Sequence, residues 1–588
     1  MASEEEIIMT PTKKGKTTHI KIERKRKQQA DHSGVVHVGG GQHSGLVIAQ
    51  NTADADDLGK PQLQLGFMCF LIDQKTNEHF VESRKLKFWY VEGTDYYNQV
   101  TTAYEFFKEL VRPENFPRDY VGFIKKCMKQ MQDERYKLAK KIDLEIQHLD
   151  KGEAPTSPGI SPEMFGLEHV NGIGFTKEDT RPVEEIVREK LLTILESAYP
   201  NVLAVEDLVR ITASEEPIVL LQLQELRSRE LIREMEKGGF VRQVLDEKTG
   251  GTEVQMVKQM PTIAANQQPT IAIITALYHE KVAVDAMMEN KTTYVRYKTE
   301  GESNVYTTGF IGEHKVVSTK LPQIGHFRAA QISSGSITTR LLGTFQNIEH
   351  VFIVGVAGGV PQFADYYRHP RLGDIIFSKC DSKGYLYYYC DKMTQDKEND
   401  GEVQYNLKTW APRDMQLQRI LERIEDTRQA NPDYAPWERY LTEGQELLQA
   451  QDANFDRPPP DTDRLYMNIG DNQVIEVQHP EPPNGVPRRL DIPSVHFGVM
   501  GAGRPVRNEV SRHDFASRYK IAACDSEFDQ VLESIVGNRK DSFMFVRGVS
   551  DYINGMHNKE WKPYAALAAA AATKAIIKML HNPQMDDF

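Results

Sequence analysis

The chain has 588 residues, 40% of them hydrophobic, enough for about two to four domains with real cores. Its net charge of −12 disfavours a protein devoted to nucleic acid, although it leaves room for one basic module. No apolar run reaches the roughly 18 residues of a membrane span, and the N-terminal MASEEEIIMT lacks the positive-then-apolar order of a signal peptide.

The five cysteines are Cys69, Cys127, Cys380, Cys390 and Cys524. They are few, odd in number and without metal-ligand spacing, so neither a disulfide framework nor a zinc site is expected. A reducing compartment follows, the cytoplasm, with the nucleus left open by a basic cluster near the N-terminus.

Residues 1–60 are rich in Lys, Gln, Gly and His and read as a disordered basic tail. Within them Lys21-Ile22-Glu23-Arg24-Lys25-Arg26-Lys27 reads as a solvated tail or as a nuclear-import or nucleic-acid patch, with the solvated tail weighing more. Residues 61–150 are expected to form a small α/β module. Its strands would be Leu63 to Ile72 and Leu86 to Val91, and its amphipathic helices Tyr96–Val111 and Tyr120–His148. Residues 151–180, rich in Pro, Gly and Ser, read as a linker.

Residues 181–245 show three helices and a hairpin, the pattern of a winged helix. Pro182 opens the first helix, and Val183, Ile186, Val187, Leu191, Ile194 and Leu195 form its apolar stripe. The third helix opens with Glu215-Glu216 and carries Leu220, Leu221, Leu223 and Leu226, and its arginines alternate with glutamates. A DNA-recognition helix needs basic and amide residues facing phosphates and base edges. A protein-contacting winged helix is therefore favoured over a DNA-binding one. Residues 246–267 read as a second linker.

From residue 268 the pattern is that of a larger α/β domain. Ile271 to Leu277 is an apolar strand followed by His279-Glu280. Val351 to Val354 runs into the glycine turn Gly355-Val356-Ala357-Gly358-Gly359-Val360. About 381–490 looks like an insertion, with Tyr-rich, helical and Pro-rich pieces, that covers a pocket or builds an oligomer interface. Ile521-Ala522-Ala523-Cys524 ends in Asp525-Ser526-Glu527. Phe545 to Val549 ends in Ser550-Asp551 and is followed by an alanine-rich helix from about Pro563 to Leu580. Carboxylates at the C-terminal ends of buried strands sit where open α/β sheets place their chemistry.

These segments, in this order and spacing, resemble the nucleoside phosphorylase / methylthioadenosine–adenosylhomocysteine nucleosidase superfamily over roughly residues 268–581. The resemblance implies a three-layer α/β domain with a mixed central sheet, preceded here by the small α/β module and the winged helix. It further implies cleavage of a purine N-glycosidic bond, with no cofactor and no metal. Asp551 would be the general acid at purine N7, its pKa raised by burial. Glu527 would anchor the ribose hydroxyls and Glu280 would activate water, with His279 a weaker candidate. The structural alternatives are a turn cap for Asp551, a surface carboxylate at a helix start for Glu527 and an exposed helix residue for Glu280.

Gly355, Ala357, Gly358, Met500, Arg504, Pro505, Val506 and Ser550 are the implied substrate-binding positions. The family's Glu-Met-Glu is Asp525-Ser526-Glu527 here. The phosphorylase anion site is missing: the turn Thr275–Glu280 has no arginine, and Val356 stands at the serine position. Both departures favour water over phosphate as nucleophile. A closer resemblance is to domains of this family fused to immune-type receptors and effectors, some of which cleave adenine from ATP. Arg504, Arg507, Arg512, His513 and Arg518, with Arg340, Arg368 and Arg371, are candidates for a substrate phosphate.

The expectation is thus a purine nucleosidase acting on an adenine nucleoside or nucleotide, ATP included, in a homo-oligomer regulated by its N-terminal modules. Phosphorolysis, or a winged-helix adaptor whose nucleotide-sensing domain is non-catalytic, are the rival readings.

Overall fold

The computed structural model describes residues 5–26, 35–38, 46–49, 60–72, 79–112, 116, 120–149, 181–235, 238–243, 252–258, 260–261, 263–264, 267–297, 303–321, 328–395, 403–468, 474–483, 485, 488–506, 509–553 and 559–580. The linker expected at 151–180 lies outside them. The chain divides into two compact units. The first comprises Met1–Gly159, Pro361–His369 and Pro460–Arg489, and the second Ile160–Val360, Pro370–Pro459 and Leu490–Phe588.

The first unit is built on a nine-stranded sheet. Its centre is Leu63–Ile72, His79–Tyr90, Ala139–Leu149 and Thr17–Arg26, paired antiparallel in that order. Helix Tyr96–Leu110 packs Phe106 against Phe88 and Phe107 against Phe67, at ring distances of 5.7 and 5.5 Å. Such aromatic pairs bury large apolar areas, which a module this small needs.

Three expectations are corrected here. Residues 5–26 are a β-hairpin, Glu5–Lys14 with Thr17–Arg26, and not a disordered tail. Ile20 and Ile22 alternate with Lys21 and Glu23 at the two-residue period of a strand, and both isoleucines are buried. Within the basic cluster, Lys21 and Lys25 pair with Glu23 and Arg24 with Glu5. The helix expected over Tyr120–His148 ends at Gln132, where Asp133 caps a short 3-10 turn and Ala139–Leu149 continues as a strand. The expected insertion is shared between the units. Its segments Leu465–Asn468 and Val474–Val477 extend the nine-stranded sheet, whereas Tyr387–Gln395 and Val403–Trp410 join the sheet of the second unit.

The second unit opens with the winged helix. Helices Val183–Ala198, Val205–Thr212 and Glu216–Ser228 and the wing strands Ile232–Glu234 and Phe240–Arg242 enclose a core of Leu191, Leu195, Leu208, Leu223, Leu226 and Ile232. Residues 246–267, expected as a linker, contain the strand Thr252–Met256, which pairs parallel with Glu289–Arg296 at the edge of a twelve-stranded sheet.

At the heart of that sheet Ile271–Thr275, His350–Gly359 and Ser542–Tyr552 run parallel. Their largely apolar runs suit strands covered on both faces. Helix Trp561–Ile577 lies against the sheet and is buried along almost its whole length. Its alanines permit close approach, and Gly548 completes the fit: a Cβ there would lie 1.9 Å from the Ala565 carbonyl oxygen.

Candidate active site

The chemistry-bearing side chains gather where the three parallel strands end. After Thr275 the chain turns into helix Tyr278–Ala286, and Glu280 reaches back from its first turn. Glu280 Oε2 accepts from the Ala276 and Leu277 N–H groups, both at 2.8 Å. Its Oε1 accepts from Val356 N–H, also at 2.8 Å, so the carboxylate ties the first turn to the glycine turn. It is buried, not the exposed helix residue of the structural alternative. Gly355 makes room for it, because a Cβ at that position would meet Oε1 at 2.1 Å and Arg547 Nη1 at 2.7 Å.

Arg547 is the neighbour that sequence reasoning missed. It lies inside an otherwise apolar strand, Ser542–Tyr552, and is 1% exposed. Its Nε donates to Asp525 Oδ2 at 2.6 Å, and its guanidinium stacks on Phe528 at 4.6 Å. Its Nη2 has no hydrogen-bond partner among the described residues. A lone arginine in the run FMFVRGVS was the available signal; its partner is 22 residues away in sequence and became visible only in the fold.

Asp525 completes a buried array with Arg547 and Glu280. Burial pushes its pKa up to about 6, Arg547 pulls it down, the Ser526 N–H bond lowers it and the Glu280 charge raises it again. Two residues on, Glu527 is buried and accepts from the Tyr389 hydroxyl at 3.3 Å. Tyr387 pins the same turn, donating to the Ser526 carbonyl at 2.8 Å and accepting from Phe528 N–H at 3.2 Å. Both tyrosines come from the segment that the sequence marked only as an insertion.

Asp551 stands at the end of the central strand, 4% exposed, and accepts a hydrogen bond from the Ser550 hydroxyl at 2.5 Å. Register explains its aim. Ala357 pairs with Val549, but a bulge then sets Gly358 opposite Asp551, and on its other side Gly358 pairs with Cys524. Bulges of this kind re-aim a side chain beside a site. Asp551, Gly358 and the Asp525–Glu527 turn are therefore neighbours across three strands.

The remaining expected positions divide. Met500 is fully buried in strand Val495–Ala502, next to Ala523. In the turn Arg504–Val506, Arg504 is exposed, Pro505 half-buried and Val506 buried. Arg512 donates from Nη1 to the Ile553 carbonyl at 2.7 Å and from Nε to the Val506 carbonyl at 3.4 Å, so it braces two loops. Arg518 bonds the Val403 carbonyl and pairs with Asp514. The Arg507 side chain lies outside the described residues. His279 faces Glu196 of the winged helix at 4.0 Å. No group of three or more His, Cys, Asp or Glu that could hold a metal occurs among the described residues.

Residues 177–244 match the family described as a winged helix-turn-helix domain. Over 325 residues, 54% of its length, the chain is 26% identical to a nucleotide-binding leucine-rich repeat (NLR)-like protein of Hyaloscypha variabilis. It spans less than a third of that relative, 30%.

Among solved structures it is similar to a 5′-methylthioadenosine/S-adenosylhomocysteine nucleosidase of Neisseria meningitidis in complex with methylthio-immucillin-A. The identity is 16%, with 53% of this chain and 100% of that one covered, at a TM-score of 0.32. It is also similar to the futalosine hydrolase of Helicobacter pylori, at 13% identity, covering 54% and 100%, with a TM-score of 0.33. The protein is thus a mixed α/β chain carrying a winged helix-turn-helix domain. No helix among the described residues is long and apolar enough to cross a membrane.

Proposed function

We propose that the C-terminal α/β domain hydrolyses the N-glycosidic bond of an adenine nucleoside or nucleotide, ATP among them. The observation that carries this reading is the placement of Asp551, a buried carboxylate with a serine hydroxyl on it, beside Gly358 and the Asp525–Glu527 turn. In its protonated form Asp551 is the acid that delivers a proton to N7 as the base departs, a step worth about 10²–10⁴-fold in rate. Glu527, held by Tyr389, receives the ribose hydroxyls, and its charge favours a sugar ring becoming cationic.

Glu280 is the base for water. Three backbone N–H groups hold its orientation, and a carboxylate has about four lone-pair sites, so one remains for the water. The apolar Val356 in the glycine turn argues for water over phosphate. The same three hydrogen bonds are also what a purely structural cap would make, and they are the observation on which a non-catalytic nucleotide sensor would rest.

The test is chromatography of the chain incubated with ATP, adenosine, adenosylhomocysteine, guanosine and inosine, with and without phosphate, beside Asp551→Asn. Free base released without phosphate, and reduced at least about 100-fold in the variant, is the expected result. Release only in the presence of phosphate would establish phosphorolysis, and ligand binding without release would establish the sensor.

A further inference from the structure

The segment Thr275–Lys281, which carries Glu280, is held from two sides. On its inner side Glu280 bonds Ala276, Leu277 and Val356. On its outer side it meets the end of the strand His314–Lys320 and, beyond that, the winged helix.

Lys320 ends the strand His314–Lys320, paired with Thr275, and the neighbouring Leu321 N–H donates to the Thr275 carbonyl at 2.8 Å. The Lys320 ammonium is buried and donates to three carbonyls. Two belong to the end of the first winged-helix helix, Ser197 at 2.9 Å and Tyr199 at 3.0 Å; the third is Leu321 at 3.0 Å. An ammonium has three donors, and all of them are used. The last turn of helix Val183–Ala198 has no basic residue of its own, so Lys320 supplies the cation that a helix C-terminus favours.

Tyr278, the first residue of the Glu280 helix, is buried between Arg242 of the wing, 4.7 Å from its ring, and Tyr199, at 5.8 Å and 85°. Its hydroxyl donates to the Gln243 carbonyl at 3.4 Å. Arg242 is 1% exposed and is itself fixed from both domains, by Glu196 at 3.2 Å and by Asp452 at 2.6 Å. Tyr199 and Val241 of the winged helix share one buried cluster with Tyr278, Val295 and Val305.

We propose that the partner of this winged helix is the chain's own α/β domain, where it clamps the Thr275–Lys281 turn, and that Lys320 is the positioning residue through which the clamp sets the orientation of Glu280. The part concerning Glu280 rests on the reaction proposed above; the clamp itself does not. Electrostatics act in the same direction. Burial draws the Lys320 pKa down to about 7, while Glu280 and Glu196 pull it back up. The Lys320 ammonium and the Glu280 carboxylate therefore attract each other across the clamp. The face left to the third helix also suits a protein contact: Leu220 and Leu221 are exposed, and Arg227 and Arg229 are paired with Glu234 and Glu225.

The experiment measures amide hydrogen exchange and steady-state kinetics on the full chain for wild type, Lys320→Met and Asp452→Ala. Lys320→Met strands three carbonyls and carries the risk of misfolding. Asp452→Ala removes only one anchor of Arg242 and keeps the test decisive if Lys320→Met does not fold. Each variant is expected to speed exchange in peptides covering 275–281 about tenfold or more, and to leave 542–552 unchanged. With base release as the assay, kcat is expected to fall about tenfold with KM within about twofold, because the water-activating group is misaligned and not the substrate site.

Unchanged exchange at 275–281 in Asp452→Ala would overturn the clamp. Faster exchange with unchanged kcat would overturn the role of Lys320. If wild type releases no base from any substrate, the proposed reaction fails, and the exchange data alone decide the clamp.

Discussion

Asp525 shows how far a single side chain is governed by neighbours remote in sequence. Its carboxyl is fully enclosed, faces Arg547, and has its pKa pushed up to about 6 against an ordinary value of 3.8. A carboxyl whose folded-state pKa is raised binds its proton more tightly in the native state than in the unfolded one. The stability it contributes is present below about pH 4 and is lost as pH rises through about 6. Asp525→Asn keeps a neutral side chain at every pH, as wild type does below about pH 4, so the two are expected to be of similar stability there. The unfolding free energy of wild type relative to Asp525→Asn is predicted to fall between about pH 4 and pH 6 and then to stay level. Urea midpoints across that range measure it, and a wild type that gains on the variant as pH rises would contradict the assignment.

At this scale the sequence was legible in part. Glu280, Glu527 and Asp551 were marked by strand ends and by resemblance, and the structure buries all three. Arg547 was not singled out, because nothing adjacent to it in sequence announces a counter-ion. Arg512, offered for phosphate, is instead spent on carbonyls of Val506 and Ile553, a use that only the fold brings together.

Among the elements, the readings that succeeded are those in which composition and periodicity agree. The apolar run ending at Asp551 and the alanine-rich helix after it were both legible, since neither offers a competing pattern. The readings that failed had two signals in conflict. In Thr17–Arg26 the charge density suggested a tail and hid the alternation of Ile20 and Ile22, which face the core while Lys21 and Glu23 pair outside it. In Tyr120–His148, Phe123, Met131, Ile142 and Ile146 fit a helical stripe, but Leu144 fills the two-residue period of a strand beyond the Asp133 cap.

The hairpin makes a direct prediction. Ile22 is 0% exposed and sits between Met9 and Ile142 in register. Ile22→Ala is expected to destabilise the first unit by about 2–5 kcal/mol, the cost of truncating a buried aliphatic side chain. Thermal unfolding checks this, and an unchanged melting curve would return residues 5–26 to the status of a tail.

For the molecule as a whole, domain borders drawn along the sequence are only partly those of the fold. The winged helix was legible as a module from its stripe and wing, yet its most informative contacts, Lys320 to Ser197 and Tyr199 and Arg242 to Asp452, join residues more than 100 positions apart. The segment 381–490 reads as one insertion but is divided between the two units, because its strands complete two different sheets. A chain folded in this way places the winged helix against the turn that carries a proposed catalytic carboxylate, the contact on which the proposed clamp rests.

The most direct test of the account is the fate of oxygen during base release. The full chain is incubated with ATP in H₂¹⁸O without phosphate, and the products are weighed by mass spectrometry. The account predicts free adenine and a ribose triphosphate carrying one ¹⁸O atom, both reduced in Asp551→Asn. Absence of adenine from ATP and from every other purine substrate, or a sugar product that forms only with phosphate and carries it at C1, would contradict it.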